Sequence, residues 1–436
     1  MELQRNISLT GAVAIVVGSV IGMGAFVLLP IVCSQAGGAA WLAIVLAVGI
    51  SIISMLPLIQ LGAALPTAGG GFEYGRRLLT PSLGILLSWM GVLGGAAALA
   101  LVSYGLVESF ADYLPEGVSL HLIALAIVML FYAVQCAGVK LLSTLQVVLV
   151  AQMLLALLIY GSVGLLSDGN GYTPEAPANT SFLMGLAVAF NVCLGFQVVV
   201  ELGEEMRNPE RNIFRTLIIG ATVVLLLYLL IIAAYTHLVG VENLAKRPDL
   251  VSTSTAFLPT WGVWFLQFGI VGAALTSFNG TAIAIPREIY AQGRANIIPS
   301  KFAELDAEGN PRNAVSLYFS LVAVILLLGA LFDYLGVLTH FFGKDIIEFY
   351  GFITVSGILV LTVGLSVAAW RLPKLMPDAY TSSKVKLPVW ALRAAILIAV
   401  LFNTGLIVLM CSKWLIPLLL FLFGCLVWWM LIRGKN

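Results

Sequence analysis

Apolar residues fall in long blocks, separated by short runs that carry most of the Lys, Arg, Asp, Pro and Asn. A block of about 20 apolar residues matches the hydrocarbon thickness of a bilayer. Twelve such blocks begin near Leu9, Trp41, Leu83, Ser119, Leu141, Ser181, Arg215, Trp261, Asn313, Ile346, Pro388 and Trp414. The pattern predicts an all-α polytopic membrane protein of about twelve transmembrane helices. Two blocks are interrupted near their middle. The first carries Gly22 and Gly24 in Gly18-Ser19-Val20-Ile21-Gly22-Met23-Gly24-Ala25-Phe26, and the sixth carries Gly195 between Asn191 and Gln197.

Glycine at mid-helix costs about 1 kcal/mol relative to alanine and frees the backbone to leave helical geometry. Inside a bilayer the amides released in this way must find partners within the protein. A half-helix that starts at such a break presents bare N–H groups and a partial positive charge, which suits a carboxylate. Close helix packing through Gly18 and Gly22, as a small-xxx-small contact, is the other reading of the first block, and the sequence leaves both open. The two breaks occupy equivalent places five spans apart, the pattern of an inverted repeat of five helices plus five with broken helices 1 and 6. Residues 9–166 would form the first repeat and 181–370 the second. The two additional C-terminal helices would occupy 388–432.

Composition sharpens this picture. The 436 residues are 61% hydrophobic and 10% charged, where soluble chains carry about 25% charged residues, and the mean hydropathy is +1.05. The formal net charge of +1 says nothing about partners, and there is no basic block for nucleic acid, which is not expected as a partner. The lipid bilayer is the expected surrounding. The five cysteines (Cys33, Cys136, Cys193, Cys411 and Cys425) show no metal-ligand spacing, and His121, His237 and His340 fall at the ends of spans. No cofactor and no metal are expected. The N-terminus is too close to the first span for a cleaved signal. With the N-terminus inside, 18 of the 22 Lys and Arg fall on the cytoplasmic side, so both termini are predicted to be cytoplasmic.

Four segments resemble motifs of the amino acid–polyamine–organocation (APC) permeases. Val17 to Phe26 is similar to their first-helix GxGxF motif. Leu65-Pro66-Thr67-Ala68-Gly69-Gly70-Gly71-Phe72-Glu73-Tyr74 is similar to their P-x-A-G-G loop. Gly195-Phe196-Gln197 with Gly203 to Asn212 resembles the end of their sixth helix and the loop after it. Arg287-Glu288-Ile289-Tyr290-Ala291 through Ile298-Pro299 to Asn310-Pro311-Arg312 resembles the loop after their eighth helix.

The resemblance implies a substrate held between helices 1, 6, 3 and 8. Its carboxylate would meet amides at Gly22, Met23 and Gly24. Its amino group would meet carbonyls freed near Asn191, Cys193 and Leu194, at the break formed by Gly195 and Phe196. Two positions depart from the family pattern. Gln197 stands where several members carry an acid that couples to protons, and Met153 stands where some carry a lysine. Gln197, Glu201, Ser277 and Asn279 are the residues assigned to coupling or gating. Glu201 reads as a proton relay, a gate latch or a capped residue in a vestibule. Glu204 and Glu205 read as partners of nearby arginines. Ser277 and Asn279 read as site or cation ligands, or as helix–helix hydrogen bonds.

Taken together these features predict a secondary active transporter of amino acids, of neutral and apolar type, in a cell membrane of the prokaryotic inner or plasma kind. H+ or Na+ would serve as any coupling ion. A cationic amino acid or polyamine exchanger is the alternative. A channel and an integral membrane enzyme are the other classes, and the sequence favours neither. It has no filter-like ring of residues, no mid-depth cluster of His, Asp or Cys, and no nucleotide-binding GxxxxGK[ST].

Overall fold

The computed structural model describes residues 7–408, apart from 68, 116, 137–138, 172–173, 176–180, 197, 202–205, 247, 307–308, 338–345 and 384–385. Gln197, Glu204, Glu205, His340 and the block near Trp414 lie outside the described residues, as do the side chain of Glu201 and both chain ends.

The described chain is helical, apart from one parallel bridge between Ile7 and Met206. Helix α1 (Leu9–Ile21) and helix α2 (Gly24–Ala36) are the halves of the first block. Ser8 caps α1, its hydroxyl accepting from the Gly11 amide at 3.1 Å. Helix α3 (Ala40–Ala64) returns, and the short α4 (Gly70–Leu78) follows the glycine-rich loop. Helix α5 (Pro81–Glu108) starts with Thr80 as cap and Pro81 in the first turn. Helices α6 (Leu120–Cys136), α7 (Val139–Leu166), α8 (Ser181–Val192), α9 (Val198–Glu201) and α10 (Pro209–Val239) complete the next stretch, with α8 and α9 the parts of the sixth block. The remainder comprises α11 (Leu250–Ser254), α12 (Thr260–Ala284), α13 (Pro286–Arg294), α14 (Arg312–Tyr334), α15 (Ile346–Leu375), α16 (Pro377–Ser382) and α17 (Val389–Val408).

Eight of these helical stretches are long and apolar enough to cross a membrane, and Leu9–Ile21, Leu120–Cys136 and Phe182–Val192 are shorter apolar helices. The protein is thus a multi-pass membrane protein. Ile7, α4, α13 and α16 gather at one end of the bundle. Arg76, Arg77, Arg207, Arg287, Arg294 and Lys374 belong to these segments and their neighbours, so this is termed the basic end.

Lipid tails are as apolar as leucine, so packing between spans rests on shape rather than on water exclusion. Helix α5 runs through the middle and packs along α15 over much of its length. There the two backbones touch. A methyl added to Gly357 would lie 2.5 Å from the Met90 carbonyl and 2.8 Å from Gly94 Cα. Helix α2 packs along α8, while α1 lies against α10 and α12. These contacts bring the broken ends of the first and sixth blocks together.

Gly357→Leu should therefore destabilise the protein by about 1–3 kcal/mol through overpacking, read as earlier thermal unfolding in detergent. Gly405→Ala, with open space around the added carbon, should unfold no earlier than the unsubstituted protein.

Candidate functional site

The break in the first block is a turn of two residues. Gly22 has φ 34° and ψ −149°, a left-handed backbone that a residue with a side chain adopts only under strain. Its amide still donates to the Gly18 carbonyl at 3.1 Å and closes α1. A Cβ on Gly22 would also collide with Ser277 Oγ on α12. Helix α2 then begins at Gly24, so the amides of Met23, Gly24 and Ala25 have no helical carbonyl one turn back.

The break in the sixth block has φ 126° at Gly195. A Cβ there would sit 2.9 Å from the Ser19 carbonyl oxygen, so the two interrupted segments cross backbone to backbone. Tyr228 of α10 fastens the crossing. Its single hydroxyl proton is shared between the Val20 carbonyl at 3.2 Å and the Val192 carbonyl at 3.2 Å. One fully buried side chain thus serves the last carbonyls of both α1 and α8. Thr276 adds a bond from its hydroxyl to the Gly18 carbonyl at 3.3 Å.

A cavity of about 390 Å³ opens between the breaks, a size that suits a small-molecule ligand. The first block contributes Ser19, Gly22, Met23 and Gly24, and the sixth contributes Asn191, Leu194 and Gly195. Helix α5 lines it with Gly91, Gly95, Ala98 and Val102, α12 with Ser277 and Thr281, and α15 with Gly351, Phe352, Thr354 and Ile358. The wall is mostly apolar, and Glu288 of α13 is its one charged residue among those described. Ser19 Oγ is buried with no hydrogen-bond partner.

The sequence-predicted residues divide as follows. Gly22, Met23, Gly24, Asn191, Leu194, Gly195 and Ser277 share the cavity wall. Cys193 and Phe196 line a small pocket on the other side of the break, with Ser51, Thr362 and Asn403. Asn279 is buried but not on the cavity wall. The cavity stripe of α12 passes through Ser277, Thr281 and Ala284, spaced by a helical turn, and Asn279 falls on another face. Tyr228, Ser19 and Glu288 were not singled out from the sequence. Nothing distinguishes Tyr228 from any tyrosine in a span, whereas the polarity of Arg287-Glu288 directly after an apolar run was a signal available to be read.

This geometry can hold a zwitterion. A carboxylate fits the bare amides at the start of α2, where the helix dipole is positive. An ammonium group fits the carbonyl-rich end of α8. The apolar surfaces of α5 and α15 are left for a side chain.

A profile described as amino acid permease matches residues 7–431. The chain belongs to this family. An uncharacterised transporter of Mycobacterium tuberculosis is 28% identical over 374 residues, covering 84% of this chain and 81% of that one. The Asc-type amino acid transporter 1 of Mus musculus is 25% identical over 395 residues, 86% of this chain and 72% of that one. The vacuolar cationic amino acid transporter 4 of Arabidopsis thaliana is 26% identical over 360 residues, 76% of this chain and 58% of that one.

In this permease, Tyr228→Phe should leave two buried carbonyls short of a donor, at a cost of about 1–3 kcal/mol. Both thermal stability and amino acid binding should fall. Tyr235→Phe, which loses a bond to the Pro248 carbonyl away from the breaks, should lower stability alone.

Proposed function

We propose that the protein is a secondary active transporter that carries neutral, mainly apolar amino acids by alternating access around the cavity between the two breaks. The observation that supports this most is the pairing of a bare helix start at Met23–Ala25 with a mostly apolar wall. That combination selects an α-carboxylate and tolerates an uncharged side chain. In this reading residues 9–166 and 181–370 are two inverted repeats that rock against each other, and 388–432 stand outside them. The basic end faces the cytoplasm of a cell membrane, following the distribution of Lys and Arg.

A cationic substrate is the second reading. It draws on Glu288 and on the Arabidopsis relative. Glu288 already accepts hydrogen bonds from Gly71, Phe72 and Ser88, so a substrate ammonium would have to displace donors there. This weighs toward the neutral reading.

The assay is counterflow into proteoliposomes, in which labelled amino acids exchange against unlabelled ones inside. Leucine and alanine should exchange, and lysine, arginine and glutamate should not. Gly24→Val provides the site test. Its Cβ has ordinary room, with Val192 Cγ1 nearest at 3.6 Å, so the variant should fold. Its methyl groups would extend from a position on the cavity wall at the start of α2, and counterflow should be lost. Unchanged counterflow in Gly24→Val would contradict the carboxylate cradle.

A further inference from the structure

Glu288 lies where the cavity reaches the basic end, and it is 2% exposed. Three donors converge on its carboxylate: the Gly71 amide at 2.7 Å, the Phe72 amide at 2.9 Å and the Ser88 hydroxyl at 2.7 Å. The two amides belong to the first turn of α4, so the carboxylate also caps that helix. Ser88 Oγ in turn accepts from Gln292 Nε2 at 2.8 Å. Gln292 is fully buried, and its Oε1 has no hydrogen-bond partner. An orphaned buried carbonyl is costly and calls for an explanation.

We propose that Glu288 is the proton-binding site of this transporter, and that Ser88 and Gln292 are built to satisfy it in both protonation states. The proposal rests on the transport reading above and adds the ion to it. When the carboxylate is charged, Ser88 donates to it and Gln292 donates to Ser88, as observed. When a proton arrives through the cavity, the new O–H donates to Ser88 Oγ. The Ser88 proton then turns to Gln292, whose amide flips and presents Oε1 as acceptor. The orphaned oxygen is the acceptor held for the protonated state. The neutral carboxyl is a weaker acceptor for the Gly71 and Phe72 amides. The hold on α4 loosens, which links the proton to the basic end of the cavity.

The other ionisable groups around Glu288 have engagements of their own. On α4, Glu73 is bound by Arg76 at 2.8 Å and Arg77 at 2.7 Å, with Tyr74 nearby. Arg287 lines a separate pocket with Asp306 and Arg312. Arg294 lies over the Tyr290 ring and Lys301 over the Phe302 ring. Arg371 of α15 donates to the Leu78 carbonyl at 3.2 Å. Helices α5 and α12 bring no ionisable side chain to this end. Among the described residues, Glu288 is therefore the carboxylate on the cavity wall that can exchange a proton with a bound ligand's surroundings.

Two measurements test this, and the first needs no substrate. Infrared difference spectra of the purified full-length protein in liposomes, recorded across pH, should contain a protonated-carboxyl band that Glu288→Gln removes. Ser88→Ala should shift the pH at which that band appears. A spectrum unchanged in Glu288→Gln would overturn the proposal. The second compares uptake of labelled leucine under an inward proton gradient with leucine counterflow. Glu288→Gln should lose accumulation above equilibrium far more than it loses counterflow. Equal losses would make the residue merely structural, and full accumulation would remove it from coupling, and either result overturns the proposal. Absence of leucine counterflow in the unsubstituted protein would instead count against the transport reading, with the infrared result still deciding the proton site.

Discussion

Hydrocarbon offers no hydrogen bonds, so a helix interrupted inside it must have its freed backbone groups paired by the protein itself. The fold of this permease depends on how that demand is met. Two interrupted segments cross at Ser19 and Gly195, close enough that a side chain on Gly195 has no room, and one on Gly22 would meet Ser277 of α12. The carbonyls at the ends of α1 and α8 share the hydroxyl of Tyr228. Thr276 supports the turn from α12. What remains without a helical partner is the set of amides opening α2, of which Met23 and Gly24 lie on the cavity wall. The unsatisfied part of the backbone thus coincides with the place where a ligand's carboxylate can satisfy it.

Around this crossing the walls differ in kind. Helices α5 and α15 meet at glycines with their backbones in contact, a junction with little freedom to slide. Their cavity-facing residues are small or apolar, and they leave room for a side chain without naming one. The broken segments carry fewer regular hydrogen bonds per residue and supply the polar contacts. In the proposed reading, selectivity for the backbone of an amino acid and tolerance of its side chain come from different parts of the bundle. Near the basic end α4 is docked through Glu288, the one charge on the wall among the described residues.

Much of the architecture was legible from the chain. Long apolar blocks specify spans, because no other structure buries them. The breaks at Gly22 and Gly195 stood out, because they interrupt equivalent blocks five spans apart. The direction of each side chain was less legible. Cys193 and Phe196 belong to the same break as Leu194, yet they turn to the opposite face, since a segment of turns has no fixed period to extrapolate. Asn279 is two residues from Ser277, which on a helix places it on another side. Tyr228 lay hidden because its partners are backbone carbonyls 36 and 208 residues away. Glu288 was visible only as part of a motif, because its partners lie 200 or more residues earlier, on α4 and α5.

The central claim is that the space between the two breaks is the substrate site, with the α2 amides as the carboxylate cradle. Determining the structure of the full-length protein with leucine bound tests it most directly. The account predicts the leucine carboxylate within hydrogen-bond distance of the Met23, Gly24 and Ala25 amides, and its side chain against α5 and α15. Leucine bound elsewhere in the bundle, or reversed so that its ammonium meets α2, would contradict it.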